Sequence, residues 1–355
     1  MVKYINSEPF DFSLPKLLEC AKPTEARGLQ RDEVRLMISN RENDKIHHTS
    51  FKNITSYLQE GDVLIINTSG TLKAAIPITL PNGEEGRIHL STKKEENNWL
   101  IEIRQVIGNK TKRFHGIKQG DTFELPEGGV MKITKAFYGN QLETTHLQLW
   151  KAKFSLPISI KSFLDKYGIP IRYSDVQDIY PSSYYQTVFA NELGSAEMPS
   201  AGRAFTSALV TELVSKGIQF APVLLHTGVA SLEVNEKPFP EYFKVSATTA
   251  DLINRAQMEN RRIIAVGTTA IRAIESAVGE NGLVVSKQGF TNLFITPLRG
   301  LDIVNGLLTG FHEPRASHLL MMEALAKRYH LKVAYKEAIR EGYEWHEFGD
   351  LHLIV

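Results

Sequence analysis

The chain has 355 residues, a formal net charge of +1, 42% hydrophobic and 23% charged residues. This is the balance of an ordinary globular protein long enough for about two domains, and it excludes one that coats nucleic acid by bulk charge. The single cysteine, Cys20, excludes an internal disulfide framework and a cysteine-based zinc site.

Cys20 lies beside Leu17 and Leu18, which suits a packed thiol better than a nucleophile. The start lacks a basic stretch followed by an apolar one, and no apolar run approaches the roughly 18 residues of a membrane span. A cytoplasmic protein with no membrane partner is expected.

The chain opens with Phe10-Asp11-Phe12-Ser13-Leu14-Pro15, a short helix around Lys16–Cys20 and a strand within Arg31–Ile38. Asn40 to Lys45 is a polar turn, and Gly61-Asp62 leads into a buried strand ending on Asn67. From Leu72 to Lys153 short alternating runs predominate, among them Ile76–Leu80, Gly86–Leu90, Trp99–Ile103, Val130–Ile133 and His146–Trp150. Turn signals such as Pro81-Asn82-Gly83 and Gly128-Gly129 separate them, which predicts an antiparallel β-barrel over 72–153. Within it Lys110 to Lys118 sets cations around Phe114. Such a run either tracks a phosphate backbone or forms a solvated hairpin.

Residues 155–200 read as loops rich in Pro, Tyr and small residues, including Tyr173 and the run Tyr180 to Thr187. Tyrosines in such loops either stack on a base or pack beneath the loops. From Thr206 strands and helices alternate. Thr206 and Ser246 are placed to cap helices, Ala221–His226 and Leu293–Ile295 read as strands, Leu319–Arg328 and Val333–Arg340 as helices, and Leu351–Val355 as a closing strand. The expected fold is α/β, a mainly parallel sheet with flanking helices over 1–71 and 154–355, plus the inserted barrel.

The stretch Arg262 to Ser276 anchors this reading. Ile263–Val266 is an unbroken apolar run, Gly267 permits a tight turn, Thr268 or Thr269 is a good N-cap, and Ile271, Ile274 and Val278 recur at helical spacing. A strand, a turn and a helix N-terminus collect N–H donors suited to a carboxylate, phosphate or ribose. Other strand ends carry His226-Thr227-Gly228 and Phe311-His312-Glu313-Pro314-Arg315. His226 and His312 are therefore acid–base candidates, or else histidines that bond loop backbone. No metal-binding spacing and no Gly-x-Ser-x-Gly elbow is present, so no metal is expected.

These segments, in this order, resemble the S-adenosylmethionine:tRNA ribosyltransferase-isomerases of the queuosine pathway. The resemblance rests on Phe10–Pro15, Gly61–Asn67, Tyr185–Val188, Pro199–Gly202 with Phe205-Thr206, Ala265–Thr269 with Arg272 and Glu275, Phe311-His312 with Pro314-Arg315, and Gly349-Asp350. It implies an α/β domain with an inserted barrel. It also implies transfer and isomerisation of the ribosyl group of S-adenosylmethionine onto 7-aminomethyl-7-deazaguanine in tRNA, releasing adenine and methionine. S-adenosylmethionine is then a co-substrate and tRNA a partner. Apart from the resemblance, a monomer or weak homo-oligomer is the expectation.

By the same resemblance, His312 is the expected base or acid, His226 a second candidate, and Asp350 orients a histidine or a sugar hydroxyl. Gly267, Thr268, Thr269 and Arg272 or Arg315 are expected to hold the methionyl carboxylate or ribose. Tyr185, Gln186, Thr187, Ser200 and Gly202 are the expected substrate contacts, with Lys112 and Arg113 for RNA. Where the family has Gly-Leu-His-Phe-Thr, this chain has Gly202-Arg203-Ala204-Phe205-Thr206. Such departures mark a divergent member, and leave as alternatives another acceptor or a non-catalytic binding protein.

Overall fold

A computed structural model describes residues 10–108, 110–137, 149–172, 176, 178–229 and 239–355. Tyr173, the His146–Gln148 part of one predicted strand and the stretch after Val229 lie outside the described residues.

Among the described residues, nine strands form one sheet. Their spatial order is Lys287–Thr291, Glu241–Val245, Gln219–Leu225, Val63–Asn67, Ile263–Val266, Gly306–Gly310, Leu351–Ile354, Arg35–Ser39 and Ile46–Ser50. The four strands from Gln219–Leu225 to Gly306–Gly310 run parallel. Side chains of these strands are apolar on both sides. Val63, Ile65, Ile263 and Ala265 face one core, and Leu64, Ile66, Ile264 and Val266 face the other. Helices Ala247–Met258, Thr268–Glu275, Ser317–Leu325 and Arg328–Arg340 cover the first face; Ser207–Ser215 and the Phe51–Tyr57 turn cover the second. Burial on both faces is what an unbroken apolar strand demands.

The sheet as a whole is mixed rather than mainly parallel. Leu351–Ile354 runs antiparallel to Gly306–Gly310, and Ile46–Ser50 to Arg35–Ser39. At the other margin Glu241–Val245 and Lys287–Thr291 also run antiparallel. The connection through Asn40–Lys45 is too short for the crossover that a parallel pair needs, so it makes a hairpin.

Local expectations shift in a few places. Thr206 and Ser246 cap their helices, accepting from Leu209 N (3.2 Å) and Thr249 N (3.1 Å). Neither Thr268 nor Thr269 caps its helix. Gly267 holds the cap position at φ +88°, a left-handed conformation that favours glycine. The segment after Ser155 contains a helix, Ile160–Tyr167, capped by Ser159. Leu293–Ile295 is not a strand; Lys287–Thr291 is. The helices read as Leu319–Arg328 and Val333–Arg340 are Ser317–Leu325 and Arg328–Arg340.

Between residues 75 and 155, seven antiparallel strands form a second, barrel-like sheet whose first and last strands approach each other. Ile76, Ile88, Leu90, Ile101, Met131 and Phe154 fill it. Its core also takes in Val229 and Ala196, which adjoin the carboxyl end of Gln219–Leu225. Val229 N donates to Ser91 Oγ (3.2 Å), and Thr92 Oγ1 to Pro240 O (3.3 Å). The barrel thus leans on the strand ends where a cavity opens.

Candidate active site

Parallel strands end on the same side of a sheet, and ligands gather in the crevice beyond those ends. Here the ends are Asn67, Leu225 with His226-Thr227-Gly228, Val266 with Gly267, and Gly310 with Phe311-His312. A cavity of about 260 Å³ lies there, lined among others by Thr227, Gly267, Thr268, Thr269, Arg272 and His312.

Asn67 ties these ends together. Its Nδ2 donates to Leu225 O (2.9 Å) and Thr269 Oγ1 (3.2 Å), and its Oδ1 accepts from Leu225 N (3.0 Å) and Ser69 N (3.1 Å). The first turn of a helix leaves N–H groups without intrahelical partners. In this helix those belong to Thr268 and Thr269, at the positive end of the helix dipole. One turn on, Arg272 donates from Nη1 to Glu241 and from Nε to Leu293 O (3.2 Å). Its Nη2 is buried and makes no hydrogen bond. Glu241 is fixed in turn by accepting from Gly228 N (2.7 Å). A buried guanidinium nitrogen left over from its ion pair, beside a helix N-terminus, fits a carboxylate.

His312 faces this cluster. Its backbone N–H donates to Tyr335 Oη (3.3 Å) and its carbonyl accepts from Trp345 Nε1 (3.0 Å). Its Nε2 lies 3.0 Å from Thr309 Oγ1, and its ring stacks on His318 at 4.8 Å and 10°. Burial, and then the nearby His318 and His352, hold His312 well below the usual histidine pKa; burial brings His318 down to about 4. Both rings are neutral at pH 7, so His312 is free to accept a proton.

Glu197 and Glu347 also line the cavity. Burial, and then the charge of Glu197, raise Glu347 to about 8, against the opposing pull of Arg203. Its carboxyl is therefore protonated at pH 7, and its buried Oε1 makes no hydrogen bond. Arg203, at the departure from the family pattern, donates from Nε to Tyr184 O (3.0 Å), from Nη1 to Thr24 Oγ1 (3.0 Å) and from Nη2 to Glu25. Its guanidinium lies 4.8 Å over the Phe348 ring, next to Glu347. The neighbouring His346 also lines the cavity and has φ +74°, a costly conformation for a residue with a Cβ.

Of the residues singled out from sequence, Gly267, Thr268, Thr269, Arg272, His312 and Ser200 line the cavity. The others stand elsewhere. His226 is turned onto the Ser69–Thr71 side, with Nδ1 2.7 Å from Ser69 Oγ and Nε2 3.7 Å from Glu192. A Cβ on Gly194 would meet its ring at 2.4 Å, and Thr227 takes the cavity position instead. Asp350 accepts from Arg35 N (2.7 Å) and Glu344 N (2.8 Å), and so holds backbone rather than a histidine. Arg315 is exposed, at φ +65°, with its N–H donating to Phe10 O (3.0 Å).

Tyr185 packs on Phe348 at 5.5 Å. Gln186 clamps both backbone groups of Thr71 (2.9 and 2.7 Å). Thr187 is buried under Gly202. In the barrel, Arg113 Nε donates to the buried carboxylate of Glu102 (2.9 Å), which Arg104 also engages, while Lys112 is exposed.

Sequence reading did not find Glu241, His318, Glu197 or Glu347. Glu347 sits two residues before the quoted Gly349-Asp350, so that motif could have pointed to it. Glu241 pairs with Arg272 across 31 positions, and no spacing rule reaches that far. Among the described residues no group of three or more His, Cys, Asp or Glu is placed to hold a metal, and no helix is long and apolar enough to cross a membrane.

A family model described as queuosine biosynthesis protein matches residues 7–354. A relative from Desulfitobacterium hafniense named S-adenosylmethionine:tRNA ribosyltransferase-isomerase is 34% identical, covering 98% of this chain and 99% of its own. One of the same name from Carboxydothermus hydrogenoformans is 34% identical, covering 98% of each. The crystal structure of S-adenosylmethionine tRNA ribosyltransferase from Thermotoga maritima superposes with a TM-score of 0.52 at 26% identity, over 98% of this chain and 99% of that one. With the match running over nearly its whole length, the chain belongs to the queuosine biosynthesis protein family.

Proposed function

We propose that this protein transfers and isomerises the ribosyl group of S-adenosylmethionine onto 7-aminomethyl-7-deazaguanine in tRNA, giving epoxyqueuosine and releasing adenine and methionine. The observation that carries the reading is Arg272 Nη2, a buried donor without a partner in a cavity that also holds a neutral histidine. Arg272 with the N–H groups of Thr268 and Thr269 takes the methionyl carboxylate. His312 removes the proton from the carbon beside the sulfonium, which that positive charge acidifies. Glu347, protonated at neutral pH, passes a proton to the departing adenine. Full-length relatives carrying the ribosyltransferase-isomerase name support this assignment.

The test is incubation with S-adenosylmethionine, with and without tRNA bearing the aminomethyl base. Adenine and methionine are expected in equal amounts, and only with that tRNA. Adenosylhomocysteine and methylated tRNA, or no adenine from folded protein, would overturn the reading.

Glu347→Gln separates the acid role from simple packing. The wild-type carboxyl is raised from 4.5 to about 8. Its contribution to stability is therefore full below about pH 4.5 and lost as pH rises through about 8. The amide never ionises, so the variant is expected to gain on wild type by a few kcal/mol between pH 5 and 9, read by denaturant melts at both. Turnover at pH 7 is expected to drop about 10²-fold, with the alkaline limb near pH 8 gone. Unchanged turnover with the expected stability gain would remove Glu347 from the chemistry.

A further inference from the structure

The outer face of the barrel carries cations that the cavity chemistry does not use. In the antiparallel strands Gly129–Phe137 and Leu149–Ser155, Lys132 lies directly opposite Lys153, and Lys135 directly opposite Lys151. All four are exposed. Like charges set directly opposite weaken strand pairing, so two such pairs side by side run against the local rule. A local rule broken without internal compensation points to a task outside the fold. Among the described residues no carboxylate forms an ion pair with any of the four.

The row continues toward the cavity. Lys94 is near enough to Lys151 for that charge to disfavour its own protonation, after burial. Lys94 Nζ sits 4.0 Å over the ring of Phe290, an exposed aromatic. Lys151 Nζ lies 5.8 Å over Phe137, whose ring centroid is 6.1 Å from that of Phe239. Phe239 belongs to the cavity wall. Lys151 and Lys153 stand two residues apart on one strand, about 7 Å, with Lys135 and Lys132 opposite them across a register shift after Ile133. Such a cluster of cations beside ring faces matches a polyanion that also carries stackable bases. The other basic run, Lys110–Arg113, is less suited, because its Arg113 is committed to Glu102.

We propose that the Lys132, Lys135, Lys151 and Lys153 face of the barrel, continued by Lys94, is the docking surface for the phosphate backbone of the RNA. On this surface the strand of RNA runs past Phe137 and Phe239 and delivers its acceptor base to the cavity. The inference rests on the functional reading above for the identity of the RNA. The electrostatic footprint itself does not.

The test uses Lys132→Glu with Lys151→Glu in the full-length protein. These changes turn both like-charge pairs into opposite-charge pairs, so the fold is retained and thermal melting is expected to rise or stay level. Binding of an unmodified tRNA transcript is expected to weaken about 10- to 100-fold at 0.1 M salt. The slope of log K against log salt should shrink by about 1.5 to 2, as two phosphate contacts are lost. S-adenosylmethionine affinity is expected to be unchanged, and in turnover KM for tRNA should rise with kcat retained. Parental tRNA affinity and slope in the double variant would overturn the surface, as would a loss confined to Lys112→Glu. A protein that binds tRNA through this face and releases no adenine would contradict the functional reading while supporting the surface.

Discussion

His312→Gln is expected to lower turnover by about 10²- to 10⁴-fold while S-adenosylmethionine affinity stays within a few-fold of wild type. Glutamine keeps a polar group within reach of Thr309, which lies 3.0 Å from His312 Nε2, but it cannot accept a proton. The backbone at 312 is held by Tyr335 and Trp345 rather than by the imidazole, so the strand end should keep its shape. Burial keeps the imidazole neutral through the physiological range. The acid limb of the wild-type pH–rate profile is therefore expected below pH 6.5, not at it. Single-turnover adenine release alongside calorimetric titration separates the two quantities. Full turnover in the variant would transfer the base role to another group.

Arg272→Met is expected to weaken S-adenosylmethionine binding by about 2–4 kcal/mol, or roughly 30- to 1000-fold. Two losses combine. The Nη2 donor for the methionyl carboxylate disappears, and Glu241 is left as a buried carboxylate with Gly228 N–H as its remaining partner in this set. Arg272→Lys retains a cation for Glu241 but loses the planar fork, so its melting temperature should stay near wild type while affinity still falls about 10-fold. Calorimetric titration of both variants, with thermal melts, distinguishes ligand recognition from support of the fold. Wild-type affinity in Arg272→Lys together with folding failure in Arg272→Met would make the residue structural.

Much of the frame was legible because its signals are local. Ile263–Val266, Gly267 and the Ile271–Ile274 spacing specify a strand, a left-handed turn and a helix without reference to the rest of the chain. The alternating runs between Leu72 and Lys153 likewise give the barrel-like sheet, since period-two patterning is a property of each strand alone.

Strand direction was not legible. Nothing in Leu351–Ile354 announces that it enters antiparallel to Gly306–Gly310; partners far apart in sequence decide that. The Gly306–Gly310 strand was itself hidden, because its terminal glycines and Thr309 dilute the apolar run. At the site, the histidine of a strand-end motif drew attention to His226. The pleat turns that ring toward Ser69 and Glu192, and the next residue, Thr227, faces the cavity. The Arg272–Glu241 pair and the Glu197–Glu347 pair exist only in three dimensions.

The most direct test of the central claim is the mass of the nucleoside recovered from the tRNA after reaction. Aminomethyl-deazaguanine tRNA is incubated with the enzyme and S-adenosylmethionine, digested, and analysed by mass spectrometry. The account predicts that the aminomethyl nucleoside is converted to one heavier by the isomerised ribosyl unit, in an amount equal to the adenine released. A nucleoside heavier by a methyl group, or one left unchanged while adenine accumulates, would contradict it.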